Sequence, residues 1–214
     1  MVNPDNPSGN FIDRNGLEKL AVWAETTGVR LIVDESFVDF ADKAEETTLL
    51  HNEILESHPT MCVMKSISKS YGVPGLRLGV LASADVELIR FMRKDVGIWN
   101  INSFAEFYLQ IYGKYEKDYA RSCEKFRQER TRFYKELKTV PYLRVIPSQA
   151  NYFLCEVIDR FSSHDLTLKL LTDYNILVKD CSSKKGFPLE QQYVRIAIRD
   201  RHDNSKLIVA LHNL

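Results

Sequence analysis

The sequence predicts an α/β fold with a mainly parallel sheet, followed by a smaller α+β unit. Short apolar runs at 31–33, 61–64 and 76–82 have the length and composition of buried strands. Segments of helical periodicity alternate with these runs, and such alternation is typical of a parallel sheet covered by helices. After Pro141 the pattern changes to a compact mixture of short strands and helices, which indicates a separate α+β unit.

The first predicted helix covers residues 13–27. Asp13 is a suitable N-cap, apolar residues recur at helical spacing, and Gly28 suits the C-terminal end. Ser83 is the predicted cap of a later helix in the same half of the chain. The predicted strands are few for a complete parallel sheet, so we expect residues outside this sequence to supply the rest of it.

The second half of the chain begins with a mostly helical and highly charged segment, 102–138, which is typical of a solvated helix. The strands and helices predicted after it are strands at 143–145, 151–157, 176–179 and 193–198, and helices at 164–174 and from 203 onward. We place the boundary between the two domains near residue 118, which gives domains of 1–118 and 119–214.

The charge balance excludes a broadly electrostatic partner. Lys plus Arg and Asp plus Glu are equal at 29 each, so we expect neither a nucleic-acid partner nor a membrane partner. No apolar run has the length of a transmembrane helix, and the N-terminus lacks the features of a signal peptide. The cysteines are far apart and favour core thiols over a zinc site, so a cytoplasmic protein is expected.

The first group of residues with chemical potential is Ser66-Ile67-Ser68-Lys69, followed by Arg77. Hydroxyl and guanidinium groups suit the recognition of a phosphate, and an amine crowded by positive charge can become a nucleophile. Taken alone, this short motif is better explained by an ordinary exposed lysine. The spacing also differs from that of a Walker A loop.

Two further polar groups lie at positions that are typical of ligand-binding residues. Asp34 follows three apolar residues at a strand end, where a carboxylate needs a partner such as a protonated pyridine nitrogen. For Asp34 taken alone, a helix cap or an internal ion pair is the better explanation. The segment Asn3–Gly9 holds asparagines between prolines, which predicts rigid hydrogen-bonding groups or a simple turn.

Taken in order along the chain, these motifs resemble fold-type I pyridoxal-phosphate enzymes of the aminotransferase class I/II family. The similarity is strongest to the branch of histidinol-phosphate aminotransferase and threonine-phosphate decarboxylase, and it covers essentially the whole chain. The segments that carry it are Asn3–Gly9, Asp34–Phe37, Ser66–Arg77, Ser148–Tyr152 and Tyr193–Ile196. The resemblance implies that 1–118 is the second half of a large cofactor-binding domain and that 119–214 is the C-terminal small domain.

The resemblance also implies roles for individual residues. Lys69 would form the Schiff base with pyridoxal 5′-phosphate, and Asp34 would pair with the protonated ring nitrogen. Asn6 would bond the 3′ oxygen of the cofactor, and Arg195 would receive the substrate carboxylate. The residues that would hold the cofactor phosphate are Ser66, Ser68 and Arg77.

The sequence departs from the pattern of the aminotransferases in this branch. Phe37 stands where they usually have tyrosine, so the hydroxyl that bonds the cofactor oxygen is lost, as in threonine-phosphate decarboxylases. Lys179 stands where the decarboxylase has an arginine for substrate anions, and it keeps the charge without the bidentate fork. The glycine-rich cofactor loop and the stacking aromatic of the family precede the Asn-Pro motif and are not in this sequence.

These features leave the reaction open. Much of the family transaminates, which favours an aminotransferase acting on an amino acid or a phosphorylated amino compound through Lys69. A decarboxylase of a phosphorylated amino acid is the alternative that Phe37 favours. A non-catalytic binding module of the same fold is disfavoured, because it needs no nucleophilic amine. The resemblance also implies a homodimer.

Overall fold

The computed structural model describes residues 1–187 and 190–214 of the chain. These residues form two compact units, the first made of Met1–Pro4 with Phe11–Cys123 and the second of Asp5–Asn10 with Glu124–Leu214. The longer stretch of the first unit ends at Cys123, and the domain boundary near residue 118 stays a prediction. The assignment of the short segment 5–10 to the second unit had no counterpart in the sequence pattern.

The first unit is a mixed α/β structure. Its strands are β1 Ile32–Asp34, β2 Cys62–Ser66 and β3 Gly79–Ala82. The helices that begin in this unit are α1 Arg14–Thr26, α2 Ala44–Thr47, α3 Asn52–Ser57, α4 Ile67–Ser70, α5 Val86–Asp95, α6 Ser103–Tyr112 and α7 Glu116–Leu137. Single 3-10 turns occur at Val38–Phe40 and Pro74–Leu76.

The sheet of the first unit has the order β1-β2-β3. Strands β1 and β2 are parallel, with Val33 opposite Val63, and Val2 adds a parallel bridge to Asp34. Strand β3 runs antiparallel to β2, a reversal that the apolar runs alone did not indicate. Val33 and Val63 are fully buried against Leu17 of α1, so the sheet supplies the core of this unit.

The ends of the helices test the capping predictions. Asp13 caps α1 as expected, because its carboxylate accepts the backbone N–H of Gly16 at 2.8 Å. The prediction that Ser83 caps α5 was wrong. Asp85 accepts the N–H of Leu88 at 2.9 Å and is the cap, while the Ser83 hydroxyl donates to the carbonyl of Met61.

The second unit contains a sheet of order β4-β5-β7-β6 with antiparallel pairing throughout its described strands. Its elements are β4 Leu143–Val145, β5 Tyr152–Val157, α8 Ser163–Tyr174, β6 Lys179–Asp180, β7 Gln192–Ala197 and α9 Arg201–Asn213. One face of this sheet is buried in the main core of the unit, which includes Phe153, Cys155, Val194 and Ile196.

The strand predicted at 176–179 is much shorter than expected. Asn175 ends α8 in the left-handed conformation, and the N–H of Ile176 bonds the carbonyl of Leu170 in that helix. Residue 176 is therefore engaged in the helix end, and only Lys179–Asp180 pairs with β7.

All four cysteines are free and buried, in agreement with the expectation of core thiols. Among the described residues, no helix combines the length and the apolar character needed to cross a membrane.

Candidate functional site

Lys69 lies on the short helix α4, which begins directly after β2. Its Nζ atom lies over the ring of Phe37, 4.5 Å from the ring centroid, in a cation–π contact. Lys69 is exposed, and within residues 1–187 and 190–214 its ammonium group has no carboxylate partner. The amine is therefore held by an aromatic face and remains accessible to a ligand.

Asp34 is the last residue of β1, and its carboxylate is fixed on one side. Its Oδ1 atom accepts two hydrogen bonds from Ser36, one from the backbone N–H at 2.9 Å and one from the hydroxyl. The Ser36 hydroxyl in turn accepts the N–H of Ser66, at the end of β2. In the described part of the chain, Oδ2 of Asp34 has no hydrogen-bond donor, so one carboxylate oxygen is free for a cation.

The residues predicted to bind the cofactor phosphate differ in whether their polar groups already have partners in the protein. Ser66 pairs with Gly79 in the ladder of β2 and β3, so Ser66 and the loop that contains Arg77 lie at the same end of these strands. The Ser66 hydroxyl has no partner among the described residues, and the exposed Arg77 donates only to the carbonyl of Pro74. Both groups are therefore available to an anion.

Ser68 differs from these residues. Its side chain is buried, and its hydroxyl accepts the N–H of Leu78 at 3.0 Å and faces the carbonyl of the same residue. The Ser68 hydroxyl is thus engaged in hydrogen bonds that join α4 to the loop before β3. The hydroxyl of Ser70, one residue after Lys69, is buried and has no hydrogen-bond partner among the described residues.

Arg77 has a φ of 54°, in the left-handed region that non-glycine residues seldom adopt. Such conformations cost free energy and are found at ligand-binding loops more often than elsewhere. Here the conformation ends the turn at Pro74–Leu76 and directs the chain into β3.

The second unit contains the other predicted residues, Asn6, Lys179 and Arg195. Arg195 lies on β7 and donates to Oδ1 of Asn6 at 2.8 Å, while its guanidinium lies 5.0 Å from the centroid of the Tyr152 ring. Lys179 on β6 is directly opposite Arg195 on β7, so both side chains are on the same face of this sheet. That face is opposite the one that packs into the main core, because Val194 and Ile196 point the other way.

The segment that contains Asn6 is held closely against the rest of the second unit. Gly9 has a φ of +72°, and a Cβ atom at this position would lie 2.0 Å from the Ser148 hydroxyl. The Tyr152 hydroxyl donates to the carbonyl of Asp5, and the N–H of Gln149 donates to Gly9. The position of Asn6 relative to Arg195 is therefore determined by contacts on both sides of it.

Glu35 was not predicted as a special residue, although it lies between Asp34 and Ser36. It is fully buried, and its carboxylate accepts hydrogen bonds from the Thr48 hydroxyl and the N–H of Leu49 at 2.6 and 2.7 Å. Burial raises the pKa of Glu35, and these hydrogen bonds only partly offset the shift. The signal in the sequence was the position of Glu35 in the polar triplet 34–36, between two apolar segments.

A second polar cluster that sequence reasoning missed surrounds Asp39. Lys65 donates to one carboxylate oxygen at 2.5 Å, and the Tyr119 hydroxyl donates to the other at 2.8 Å. Tyr119 stacks on Tyr71 with ring centroids 4.2 Å apart, and burial raises the pKa of both phenols. Because Lys65 precedes Ser66, this cluster supports the strand that leads to Lys69.

In the first unit the structure thus brings Asp34, Phe37, Ser66 and Lys69 to the ends of β1 and β2. In the second unit it brings together Asn6, Lys179 and Arg195. The described residues contain no group of His, Cys, Asp and Glu suited to a metal ion. The chemistry available is that of a primary amine, an open carboxylate and several anion-binding groups.

Comparison with known proteins gives a family match over nearly the whole chain. Residues 1–213 match the family model described as aminotransferase class I and II. The chain is 35% identical over 211 residues to CMP-5'-(3-aminopropyl)phosphonate synthase of Streptomyces rubellomurinus, a match that covers 99% of this chain and 33% of that protein. It is 33% identical over 216 residues to threonine-phosphate decarboxylase of Salmonella typhimurium, covering 100% of this chain and 56% of the relative.

The fold is also found in a solved structure. The histidinol-phosphate aminotransferase of Clostridium acetobutylicum matches with a TM-score of 0.88 at 26% identity, covering 100% of this chain and 64% of that one. The chain spans about a third to about half of the length of the two curated relatives.

Proposed function

This chain belongs to the aminotransferase class I and II family, and we propose that it acts in a pyridoxal-phosphate enzyme that decarboxylates a phosphorylated amino acid. The observation that carries the reaction type is the contact of Lys69 with Phe37, which presents an aromatic face without a hydroxyl. The similarity to a threonine-phosphate decarboxylase over the full chain supports the same reaction.

The family depends on pyridoxal phosphate, and the first unit has groups that fit this cofactor. The open Oδ2 of Asp34 suits a protonated ring nitrogen, and the accessible Nζ of Lys69 suits the cofactor aldehyde. Ser66 and Arg77 have free donors for the phosphate. Ser68 fits less well, since its hydroxyl already bonds Leu78, and we assign it the role of positioning α4.

Each residue has a distinct task in the proposed reaction. When bound, the cofactor supplies a conjugated ring that accepts an electron pair from the substrate Cα. Asp34 keeps the ring nitrogen protonated and so favours that electron transfer. Arg195 binds the substrate carboxylate and determines which bond at Cα is broken. Lys69 holds the proton that replaces the departing carbon dioxide at Cα.

Aminotransfer is the second candidate, and the fold supports it. The chain matches a histidinol-phosphate aminotransferase with a TM-score of 0.88, and the family model itself is named for aminotransferases. In that reaction a proton rather than the carboxylate leaves Cα, and a keto acid must accept the amino group. The homodimer implied by the sequence resemblance remains a proposal, to be tested by light scattering on the active protein.

The two reactions are separated by their products. The protein expressed from its complete reading frame is incubated with cofactor and with threonine phosphate, serine phosphate or histidinol phosphate, each with and without 2-oxoglutarate. Release of carbon dioxide without the keto acid supports decarboxylation. Formation of glutamate that depends on 2-oxoglutarate, with no carbon dioxide, overturns the first candidate in favour of the second.

The role of Lys69 has its own test. Treatment of the cofactor-loaded protein with borohydride, followed by peptide mapping, should place a reduced pyridoxyl group on Lys69. Labelling of another lysine, or no labelling, would refute this assignment irrespective of the reaction catalysed.

A further inference from the structure

The second unit contains a third cation near Asn6 that the sequence did not single out. The Nζ atom of Lys184 donates to the carbonyl of Asn6 at 3.1 Å, while Arg195 donates to the side chain of the same asparagine at 2.8 Å. Both cations also act on Cys181, where burial raises the pKa of the thiol and their positive charges partly offset the shift. Lys184 and Arg195 therefore converge on one location in this unit.

The backbone that carries Lys184 is held in a hydrogen-bonded turn. Asp180 accepts the N–H and the hydroxyl of Ser182, both at 2.9 Å, and also the Ser163 hydroxyl at 2.8 Å. The N–H of Lys184 then closes the turn on the carbonyl of Cys181 at 3.0 Å. This turn presents Lys184 toward Asn6, so its position does not depend on a free loop.

The positive charge on this face is not neutralised by the protein. Lys179 is opposite Arg195 across the strands, and Lys184 follows at the end of the same strand–turn segment. In the residues that the structure describes, none of these three cations has a carboxylate within ion-pair distance. Asp180, the nearest acid in the sequence, is engaged by Ser163 and Ser182.

We propose that Lys184 is a specificity residue that binds the phosphate of an O-phosphorylated amino acid, beside Arg195, which binds its carboxylate. This inference rests on the proposed function and names its substrate class. The planar fork of Arg195 matches a carboxylate, whereas a lysine is a compact point charge suited to a phosphate. Three cations balance the charge of about −3 that one carboxylate and one phosphate dianion carry together.

The test compares Lys184→Gln with Lys185→Gln in the protein expressed from its complete reading frame. Lys185 is its exposed neighbour and has no hydrogen bond or ion pair in the described part of the structure, so this control removes the same charge at a matched position. Binding of O-phospho-L-serine and of L-serine is measured by titration calorimetry on cofactor-loaded protein in which Lys69→Ala, present in every variant compared, removes the amine assigned to the reaction and so prevents turnover. Lys184→Gln should raise the Kd for O-phospho-L-serine about tenfold, since one charge-assisted hydrogen bond is lost, and leave L-serine unchanged.

The measured affinities either support or overturn the role proposed for Lys184. An unchanged Kd in Lys184→Gln, or an equal change in Lys185→Gln, overturns it, because the phosphate then has no specific contact with Lys184. Lys184→Arg retains the charge and should bind within a few-fold of the wild type. Because binding is measured without turnover, a Lys184-dependent affinity in a protein that releases no carbon dioxide would keep this inference and refute the proposed reaction.

Discussion

The Nζ atom of Lys69 lies 4.5 Å from the centroid of the Phe37 ring, in the first unit of the chain. Phe37 follows Asp34 by three residues, so one short segment supplies both the surface beneath the amine and the carboxylate assigned to the ring nitrogen. A phenol in place of this ring would add a hydrogen-bond donor beside the amine. The identity of residue 37 is therefore expected to influence the electronic state of the bound cofactor.

Phe37→Tyr is expected to lower the pH midpoint of the cofactor's absorption change by about 1 unit. The added hydroxyl donates to the cofactor's 3′ oxygen and stabilises its anionic form, and a hydrogen bond to a charged group has this order of strength. The measurement is a spectroscopic pH titration of the loaded protein. Phe91→Tyr, at an exposed position, is the control and should leave the midpoint unchanged. An unchanged midpoint in Phe37→Tyr would place residue 37 away from that oxygen.

Asp34→Asn is expected to lower kcat about 100-fold or more, since electrostatic stabilisation of this kind is worth roughly 3 kcal/mol. The amide nearly keeps the shape of the carboxylate, and Oδ1 can still accept the hydrogen bonds from Ser36. Steady-state kinetics measure the loss, and circular dichroism checks the fold. Near-normal turnover would contradict the assigned role of the Asp34 charge.

Ser36→Ala separates the orientation of Asp34 from its charge. The Ser36 hydroxyl links the Asp34 carboxylate to the N–H of Ser66, and its removal leaves that N–H without this partner. We expect a loss of about 1–3 kcal/mol in the free energy of unfolding and a smaller loss of kcat than in Asp34→Asn. A larger kinetic effect in Ser36→Ala would show that orientation, rather than charge, limits turnover.

Much of the first unit was predictable, because local patterns determine it. Asp13 caps α1 as its position predicted, and the apolar run ahead of Asp34 forms strand β1, in which Val33 is fully buried. The errors arose where local alternatives compete. Asp85 and Ser83 are both suitable caps, but Asp85 accepts the N–H of Leu88, whereas the Ser83 hydroxyl accepts the N–H of Asp85 and donates to the carbonyl of Met61, which is distant in sequence.

The site was less predictable than the fold, since its contacts are distant in sequence. Ser68 has the residue type of a phosphate ligand, but its hydroxyl is used by the backbone of Leu78. The contact of Lys184 with Asn6 joins residues near opposite ends of the chain. A periodic pattern in the sequence cannot predict such a contact. A motif thus identified the candidate residues. Only the three-dimensional structure shows which of their polar groups are already hydrogen-bonded within the protein.

Glu35→Gln is expected to change how stability depends on pH. The folded state raises the pKa of Glu35 by burial, so its contribution to stability is present below the ordinary pKa and is lost as pH rises through the raised value. The neutral glutamine lacks this loss. The free energy of unfolding of the variant relative to the wild type should therefore increase as the pH rises above about 4, the ordinary pKa of a glutamate.

Denaturant unfolding at several pH values measures this difference. Glu56→Gln is the matched control, because Glu56 is exposed and should give a difference that is nearly independent of pH. A difference for Glu35→Gln that falls as pH rises would mean that the charged form of Glu35 is stabilised by the fold.

Asp39→Asn is expected to destabilise the first unit by about 3–5 kcal/mol, because it leaves the Lys65 ammonium without its counterion. The side chains of Lys65 and Asp39 are only 12% and 13% exposed, so water compensates little for the lost partner. Tyr119→Phe removes the second hydrogen bond to Asp39 but leaves the ion pair with Lys65 in place, so it should cost about 1 kcal/mol. Chemical denaturation of both variants measures these costs. Equal and small losses would show that the Lys65–Asp39 pair is solvated and does not support the strand that leads to Lys69.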